Sequence, residues 1–175
     1  MTTVYLDNNA TTRVVPEVLE VMLPYFSELY GNPSSMHTFG GQVGIKIREA
    51  REQVAALLGA SPDEIIFTSC GTESDNTAIR SALAAHPDRK HIVTSRVEHP
   101  AIKALCAHLA ESGYRVTELP VDSEGRLNME AFEQCLTPDT AIVSLMWANN
   151  ETGVVFPVER AAEIAHSHGI LFHTD

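Results

Sequence analysis

The chain has 175 residues, of which 12 are basic and 23 acidic, so its formal net charge is −11 at pH 7. Its basic residues are scattered singly, which argues against a nucleic-acid-binding protein, because a phosphate backbone is bound by clustered Lys and Arg. No apolar run approaches the roughly 20 residues of a membrane-spanning helix and the first residues lack the pattern of a secretion signal, so we expect a cytoplasmic protein without a membrane anchor.

The first 60 residues predict an arm followed by helices. Residues 2–12 are expected to be extended, and helix signals begin at Pro16. The turn residues of segment 31–35 predict a loop. Apolar residues at three- and four-residue steps from Val43 to Leu58 then predict one long amphipathic helix that ends at Gly59.

From residue 61 onward, short β-branched runs alternate with amphipathic stretches at a period of roughly 25 residues, which is typical of βα units that form a parallel sheet. The predicted strands are 64–68, 91–95, 114–119, 140–146 and 170–173. The predicted helices are 72–85, 101–112, 128–136 and 157–168. The expected fold class is therefore α/β, with a mostly parallel sheet and flanking helices.

Four polar clusters follow predicted strands at their C-terminal ends, the edge at which open parallel sheets bind ligands. They are Cys70-Gly71-Thr72-Glu73-Ser74, Glu98-His99-Pro100, Asn149-Asn150-Glu151-Thr152-Gly153 and Thr174-Asp175. We expect these loops to meet at one crevice.

The first cluster joins a strand to a helix through a glycine. Free backbone N–H groups and the hydroxyls of Thr72 and Ser74 at a positive helix end suit a phosphate group. Neither G-x-G-x-x-G nor G-x-x-x-x-G-K-S/T is present, which disfavours a nicotinamide or ATP enzyme. The alternative for residues 71–74 is an ordinary helix cap.

The other clusters allow two interpretations each. Asp175 is either a solvated carboxylate or a ligand to a cation, and against a pyridinium nitrogen it would favour the protonated ring by about 1–3 pKa units. His99 either transfers protons near neutral pH or caps the next helix. Asn149 and Asn150 either form a turn or donate a hydrogen bond to a ring hydroxyl.

A metal site is not indicated. His166, His168, His173 and Asp175 are metal-ligand types, but the first two close a predicted helix and no further cluster has metal spacing. The three cysteines are an odd number without a C-x-x-C pair, which indicates reduced thiols rather than disulfides or a zinc site.

Several ordered motifs together resemble one family, the pyridoxal-phosphate-dependent cysteine desulfurases of the class V aminotransferase group, over nearly the whole chain. They are Tyr5-Leu6-Asp7-Asn8-Asn9-Ala10-Thr11-Thr12, Gly31-Asn32-Pro33-Ser34-Ser35-Met36-His37, Thr68-Ser69-Cys70-Gly71-Thr72-Glu73-Ser74-Asp75-Asn76, Glu98-His99-Pro100-Ala101, the cluster at 149–153, and His173-Thr174-Asp175. Met146-Trp147-Ala148 is most similar to the NifS type, which serves nitrogenase cluster assembly.

The resemblance implies a role for each matching residue. Gly71 and Thr72 would bind the phosphate of pyridoxal 5'-phosphate. His99 would stack on the ring and assist proton transfers, as the catalytic residue of this part of the site. Asn150 would contact the ring 3-hydroxyl, and Asp175 would pair with the ring nitrogen.

The resemblance also implies a three-layer large domain of the fold type I transferases. Residues 1–13 would be an arm belonging to the small domain, and residues 14–175 an incomplete large, cofactor-binding domain. The implied reaction converts L-cysteine to L-alanine and passes the sulfur, through an enzyme persulfide, to an iron–sulfur scaffold protein. The family's usual state is a homodimer.

Several residues of the family's site have no counterpart in this sequence, among them a lysine and a cysteine. The Schiff-base lysine and the sulfur-accepting cysteine lie downstream of the motif that ends at Asp175, and Lys46, Lys90 and Lys103 do not match the lysine position. We therefore expect the N-terminal part of a desulfurase, inactive by itself. The alternatives are a selenocysteine lyase or another class V aminotransferase, a non-catalytic half that binds a partner chain, and a flavodoxin-like nucleotide binder.

Overall fold

The structure is a computed structural model that describes residues 3–175. It divides into a first unit that ends at Phe67 and a second unit, Thr68–Asp175. Residues 1 and 2 of the predicted arm lie outside the described residues, and residues 3–15 belong to no helix or strand. The assignment of residues 1–13 to a small domain stays a prediction.

The first unit contains three helices, α1 (Pro16–Met22), α2 (Pro24–Ser27) and α3 (Thr38–Leu58). Helix α3 is the predicted long helix, and it begins five residues earlier than its apolar pattern. His37 caps it, because the His37 Nδ1 accepts a hydrogen bond from the Gly40 N–H. A Cβ at Gly40 would collide with the Asn32 carbonyl oxygen, so the turn at 31–35 requires glycine at this position.

The second unit is built on a four-stranded parallel sheet of order β2-β1-β3-β4. Its strands are β1 (His91–Ser95), β2 (Arg115–Leu119), β3 (Thr140–Ser144) and β4 (Leu171–His173). The chain leaves β1 toward β2 on one side and then crosses to β3 on the other. This reversal makes the C-terminal ends of β1 and β3 the expected ligand-binding edge.

Helices cover both faces of the sheet, as predicted for a three-layer α/β fold. They are α4 (Gly71–Ala85), α5 (Pro100–Glu111), α6 (Met129–Cys135) and α7 (Val158–Ser167). Because successive strand residues point to opposite faces, Ile92 and Ile142 pack with α4 and α5. Val93 and Val143 pack with α6 and α7 on the other face. The predicted α/β class is confirmed.

One predicted strand is wrong. Residues 62–64 form a 3-10 turn, and residues 65–68 form neither helix nor strand. Ile65 does have extended backbone angles, φ −92° and ψ 126°. No strand of the described chain pairs with this segment, and the side chains of Ile66 and Phe67 are 74% and 50% exposed. The apolar pattern reports an extended backbone, but a strand also needs hydrogen bonds from a neighbour.

No helix in residues 3–175 combines the length and the apolar character that crossing a membrane requires.

Candidate active site

A cavity of about 260 Å³ lies in the second unit. Its lining residues come from the start of α4, from the residue before α5 and from the residue two positions after β4, and they are Cys70, Gly71, Thr72, Asp75, His99 and Asp175. Four of the five predicted site residues, Gly71, Thr72, His99 and Asp175, are thus brought together. Asn150 is not among these lining residues.

The start of α4 is open toward this cavity. Cys70 precedes the helix in an extended conformation and its side chain makes no capping hydrogen bond. A Cβ on Gly71 would meet no atom within 4 Å. The N-terminus of a 15-residue helix therefore faces space that an anion can fill.

One predicted detail of this segment differs from the structure. The Ser74 hydroxyl was expected at the phosphate position, but it lies 2.6 Å from Thr68 Oγ1 and does not line the cavity. The local capping contact comes from Glu73, whose carboxylate accepts hydrogen bonds from the backbone N–H and the hydroxyl of Ser69. This pairing occupies Glu73 and leaves Gly71 and Thr72 at the cavity wall.

The Cys70 thiol reports on the electrostatics of the helix start. Its pKa is lowered, first by the backbone N–H of Glu73 and then by the Ser69 side chain. Burial instead raises the pKa of Cys106 to about 11, and it also raises that of Cys135. The helix start thus favours a negative charge, as a phosphate site requires.

His99 serves as a helix cap and as a cavity residue at once. It precedes α5, and its Nδ1 accepts a hydrogen bond from the Ala101 N–H at 3.2 Å. Because Nδ1 accepts, the proton of the neutral ring is on Nε2. The two interpretations that the sequence left open are compatible, since the capping contact fixes the ring that lines the cavity.

Sequence reasoning missed Asp75, which lies one turn after Gly71 and is 4% exposed. Burial first, and then the charge of Asp175, raise its pKa from 3.8 to about 6, whereas His99 lowers it. A signal was present in the sequence, because Asp75 is a lone acidic residue at four-residue spacing from the buried Ile79 and Leu83.

His173 on β4 lies behind Asp75. Its Nε2 is 3.5 Å from Asp75 Oδ1, and its Nδ1 is 2.9 Å from the hydroxyl of Ser144 on β3. Burial lowers the pKa of His173, against the effect of Asp175. Asp75 therefore lies next to a histidine whose own burial favours the uncharged imidazole.

Glu98 is a second buried acid, 4% exposed, next to His99. Its Oε1 accepts hydrogen bonds from the Ser95 hydroxyl at 2.6 Å and the Met146 N–H at 3.1 Å. Its Oε2 has no hydrogen-bond partner among the described residues, and burial raises its pKa. Glu98 thus joins the loop after β1 to the loop after β3.

The two asparagines have different environments. Asn149 is buried, and its Oδ1 accepts hydrogen bonds from the N–H groups of Glu151 and Thr152 and from the Thr152 hydroxyl. Asn150 is exposed and its Nδ2 lies 2.9 Å from Glu151 Oε1. Asn149 forms the turn that the sequence allowed, and the contact of Asn150 with a ring hydroxyl stays a prediction.

Within residues 3–175, no three His, Cys, Asp or Glu side chains are grouped closely enough to hold a metal ion.

Comparison with known proteins gives consistent results. The family model "Aminotransferase class-V" matches residues 4–175. Cysteine desulfurase NifS of Azotobacter vinelandii is 59% identical over 176 residues, an alignment that covers 100% of this chain and 44% of that protein. A cysteine desulfurase of Cereibacter sphaeroides is 59% identical over 177 residues, with 100% and 46% covered.

A solved structure of a NifS-like protein superposes with a TM-score of 0.95 at 41% identity and covers 99% of this chain and 49% of that one. The structure of SspA in complex with cysteine gives a TM-score of 0.94 at 36% identity, with 99% and 50% covered. The chain therefore spans half or less of the length of these relatives.

Proposed function

The chain belongs to the aminotransferase class-V family, and from that premise we propose that it carries part of the pyridoxal-phosphate site of a NifS-type cysteine desulfurase. Members of this family depend on pyridoxal phosphate. The observation that carries the proposal is the cavity that brings Gly71, Thr72, His99 and Asp175 together. The reaction proposed for the complete protein converts L-cysteine to L-alanine and passes the sulfur onward.

The chemistry of the cavity suits pyridoxal phosphate. The open start of α4 favours an anion, as the lowered pKa of Cys70 indicates. In the same cavity, Asp175 offers a carboxylate to a cation, and His99 contributes a planar aromatic ring. Pyridoxal phosphate has a phosphate, a flat ring and a ring nitrogen that takes up a proton, and these groups match the helix start, the His99 ring and the Asp175 carboxylate.

When bound, pyridoxal phosphate supplies an electron sink for the bonds of an amino-acid substrate. Asp175 would hold the proton on the ring nitrogen, an ion pair that favours the protonated ring by about 1–3 pKa units. Gly71 and Thr72 would bind the phosphate, and Asn150 the ring hydroxyl. His99, with its proton on Nε2, would stack on the ring and move protons at that atom.

The names of the relatives support the choice of substrate and pathway. The similar proteins are called cysteine desulfurases, and the SspA structure is described as a complex with cysteine. We extend the proposal to a cytoplasmic homodimer that delivers sulfur to an iron–sulfur scaffold protein of the nitrogenase type. Residues 1–13 would belong to its small domain and residues 14–175 to its large domain.

A chimera tests this function. Residues 1–175 replace the aligned part of the Azotobacter vinelandii NifS, and alanine formed from L-cysteine is measured with pyridoxal phosphate present. We expect turnover in the chimera and a loss of about 10-fold or more with Asp175→Asn, because the ion pair to the ring nitrogen is removed. The matched control Asp88→Asn, at an exposed loop position, should leave the rate unchanged.

Two results would contradict the proposal. Turnover with selenocysteine but not cysteine favours the selenocysteine lyase alternative. A folded chimera that does not bind pyridoxal phosphate, or whose rate is unaffected by Asp175→Asn, shows that the cavity is not the cofactor site.

The chain by itself should be inactive. Supplied with pyridoxal phosphate and L-cysteine, it is expected to form no alanine, because Lys46, Lys90 and Lys103 do not match the family's Schiff-base position. Alanine production above the protein-free blank, measured by chromatography, would contradict this expectation.

A further inference from the structure

The candidate cavity contains two carboxyl groups without a lysine or arginine. Asp75 and Asp175 both line it, and none of the six lining residues is a lysine or arginine. Ionising both carboxyl groups is costly, since each negative charge disfavours the other and the burial of Asp75 disfavours its charged form. While no cation is present, one of the two is therefore expected to keep its proton to a higher pH than an ordinary aspartate.

Burial decides which of the two carboxyl groups holds the proton. The Asp75 side chain is 6% exposed, whereas Asp175 is an exposed residue. Four titratable side chains surround Asp75: His173 of β4 at 3.5 Å, His99 before α5, Glu98 next to it, and Asp175 beyond β4. The charge of Asp175 raises the pKa of Asp75, and the charge of Asp75 raises the pKa of Glu98. Burial lowers the pKa of His173, so this residue does not supply a permanent positive charge.

We propose that Asp75 is the proton-exchanging carboxyl group of this cavity: in mildly acidic solution it is protonated while the cavity holds no cation, and it ionises when a cationic ring nitrogen pairs with Asp175. The O–H bond of the Asp75 carboxyl breaks and the proton passes to solvent water. The ring nitrogen's positive charge then faces two carboxylates instead of one. The identity of the cation, the ring of pyridoxal phosphate, rests on the proposed function.

Binding of the cationic ring in this cavity should therefore depend on pH. Each bound ring releases a proton from Asp75 wherever that carboxyl is still protonated, so affinity should rise with pH and level off once Asp75 is ionised in the free protein. The pKa of about 6 for Asp75 places the change near that pH.

The first test needs no ligand. Carboxyl ¹³C NMR follows the titration of Asp75 in the chain with Asp, Asn or Lys at position 175, and Asp75→Asn assigns the signal. The pH midpoint of the Asp75 titration should fall from Asp to Asn to Lys at position 175. The decrease should be about one pH unit or more for Asp175→Lys, because its ammonium group takes the place of the ring cation. Asp88→Asn removes an exposed charge and should leave the midpoint unchanged.

If Asp175→Lys fails to fold, the nearly isosteric Asp175→Asn still reports the coupling. An Asp75 midpoint near the ordinary 3.8, or one that does not respond to the charge at position 175, overturns the inference.

The second test uses pyridoxal 5'-phosphate itself. Isothermal titration calorimetry in buffers of different ionisation enthalpy counts the protons released on binding. At pH 6 the unmodified chain should release about half a proton more than Asp75→Asn, and at pH 8 the difference should vanish. Binding with equal proton release in both proteins overturns the inference but leaves the proposed function standing. Absence of binding to this part of the site leaves the proposed function to the chimera experiment, and the NMR series then decides the role of Asp75 alone.

Discussion

Acid is expected to destabilise this protein through His91, a fully buried histidine at the start of β1. Its Nδ1 is 2.7 Å from Thr140 Oγ1 on β3, and its Nε2 is 2.8 Å from Thr117 Oγ1 on β2. Burial, and secondly the charge of Arg115, lower its pKa from 6.5 to about 4, although Asp139 acts in the opposite direction. The ring therefore joins three strands in its neutral form.

The size of this acid destabilisation follows from the difference between the pKa of His91 in the unfolded chain and its pKa in the folded chain. Below pH 6.5 the unfolded chain takes up a proton on His91, whereas the folded chain does so only near pH 4. The stability contribution is thus complete above pH 6.5 and is lost as the pH falls toward 4. The difference is 6.5 − 4 pKa units at about 1.4 kcal/mol each, so the contribution is about 3 kcal/mol.

Urea unfolding between pH 4 and 7.5 measures this effect, with His91→Gln as the perturbation. The amide does not titrate, and its imperfect hydrogen bonds should cost about 1–3 kcal/mol at pH 7.5. The free energy of unfolding of the unmodified chain minus that of the variant should fall by about 3 kcal/mol between pH 7.5 and 4, so that the difference vanishes or changes sign. His166→Gln, at an exposed position, should keep the original pH profile. A difference for His91→Gln that stays constant across this range would refute the reasoning.

Three further changes test the site and its surroundings. Asn149→Ala removes the acceptor of three hydrogen bonds and should lower the free energy of unfolding by about 2–4 kcal/mol; in urea melts, an equal loss with the exposed Asn150→Ala would contradict this. Asp75→Asn should stabilise the chain by about 3 kcal/mol at pH 8 and little at pH 4, because a carboxyl group with a raised pKa destabilises the folded chain once the pH exceeds that pKa. Equal effects on the free energy of unfolding at both pH values would contradict this expectation. Iodoacetamide at pH 7.5 should alkylate Cys70 well before Cys106, because the Cys70 thiol is exposed with a lowered pKa and the Cys106 thiol is buried with a raised pKa. Peptide mass spectrometry follows the two rates, and equal rates would contradict the difference in burial and pKa between the two thiols.

The sequence predicted the second unit well where local signals and burial agree. Strand β1 has the predicted bounds, His91–Ser95, and α6 lies within the predicted helix 128–136, with Asn128 as its cap. Segment 64–68 has the same kind of apolar composition but is not a strand. Pairing depends on segments that are distant in sequence, and a local pattern contains no information about them.

The candidate site was predictable where polar residues directly follow strands. His99 and Asp175 were found in this way, from the rule that ligands bind at the C-terminal ends of parallel strands. Asp75 was missed because an acidic residue inside a helix is usually solvated, and its burial depends on the packing of α4 against β3 and β4. Only its alignment with Ile79 and Leu83 distinguished it from a surface residue.

Two neighbouring pairs of polar residues explain why some roles could not be assigned from sequence. In each pair, Glu98–His99 and Asn149–Asn150, the first residue is buried and the second is exposed. Glu98 accepts a hydrogen bond from the backbone N–H of Met146, and the Asn149 amide donates one to the backbone carbonyl of Val97.

Both hydrogen bonds run from a donor in the loop after β3 to an acceptor in the loop after β1, the two strands that flank the reversal of the sheet. Each buried side chain therefore fixes the loop on which its exposed neighbour stands. A histidine or amide that must meet a ligand has to remain accessible, so its position depends on the residue before it. The cavity geometry at His99 thus follows from Glu98, and replacing the buried member of a pair should move the exposed member without removing it.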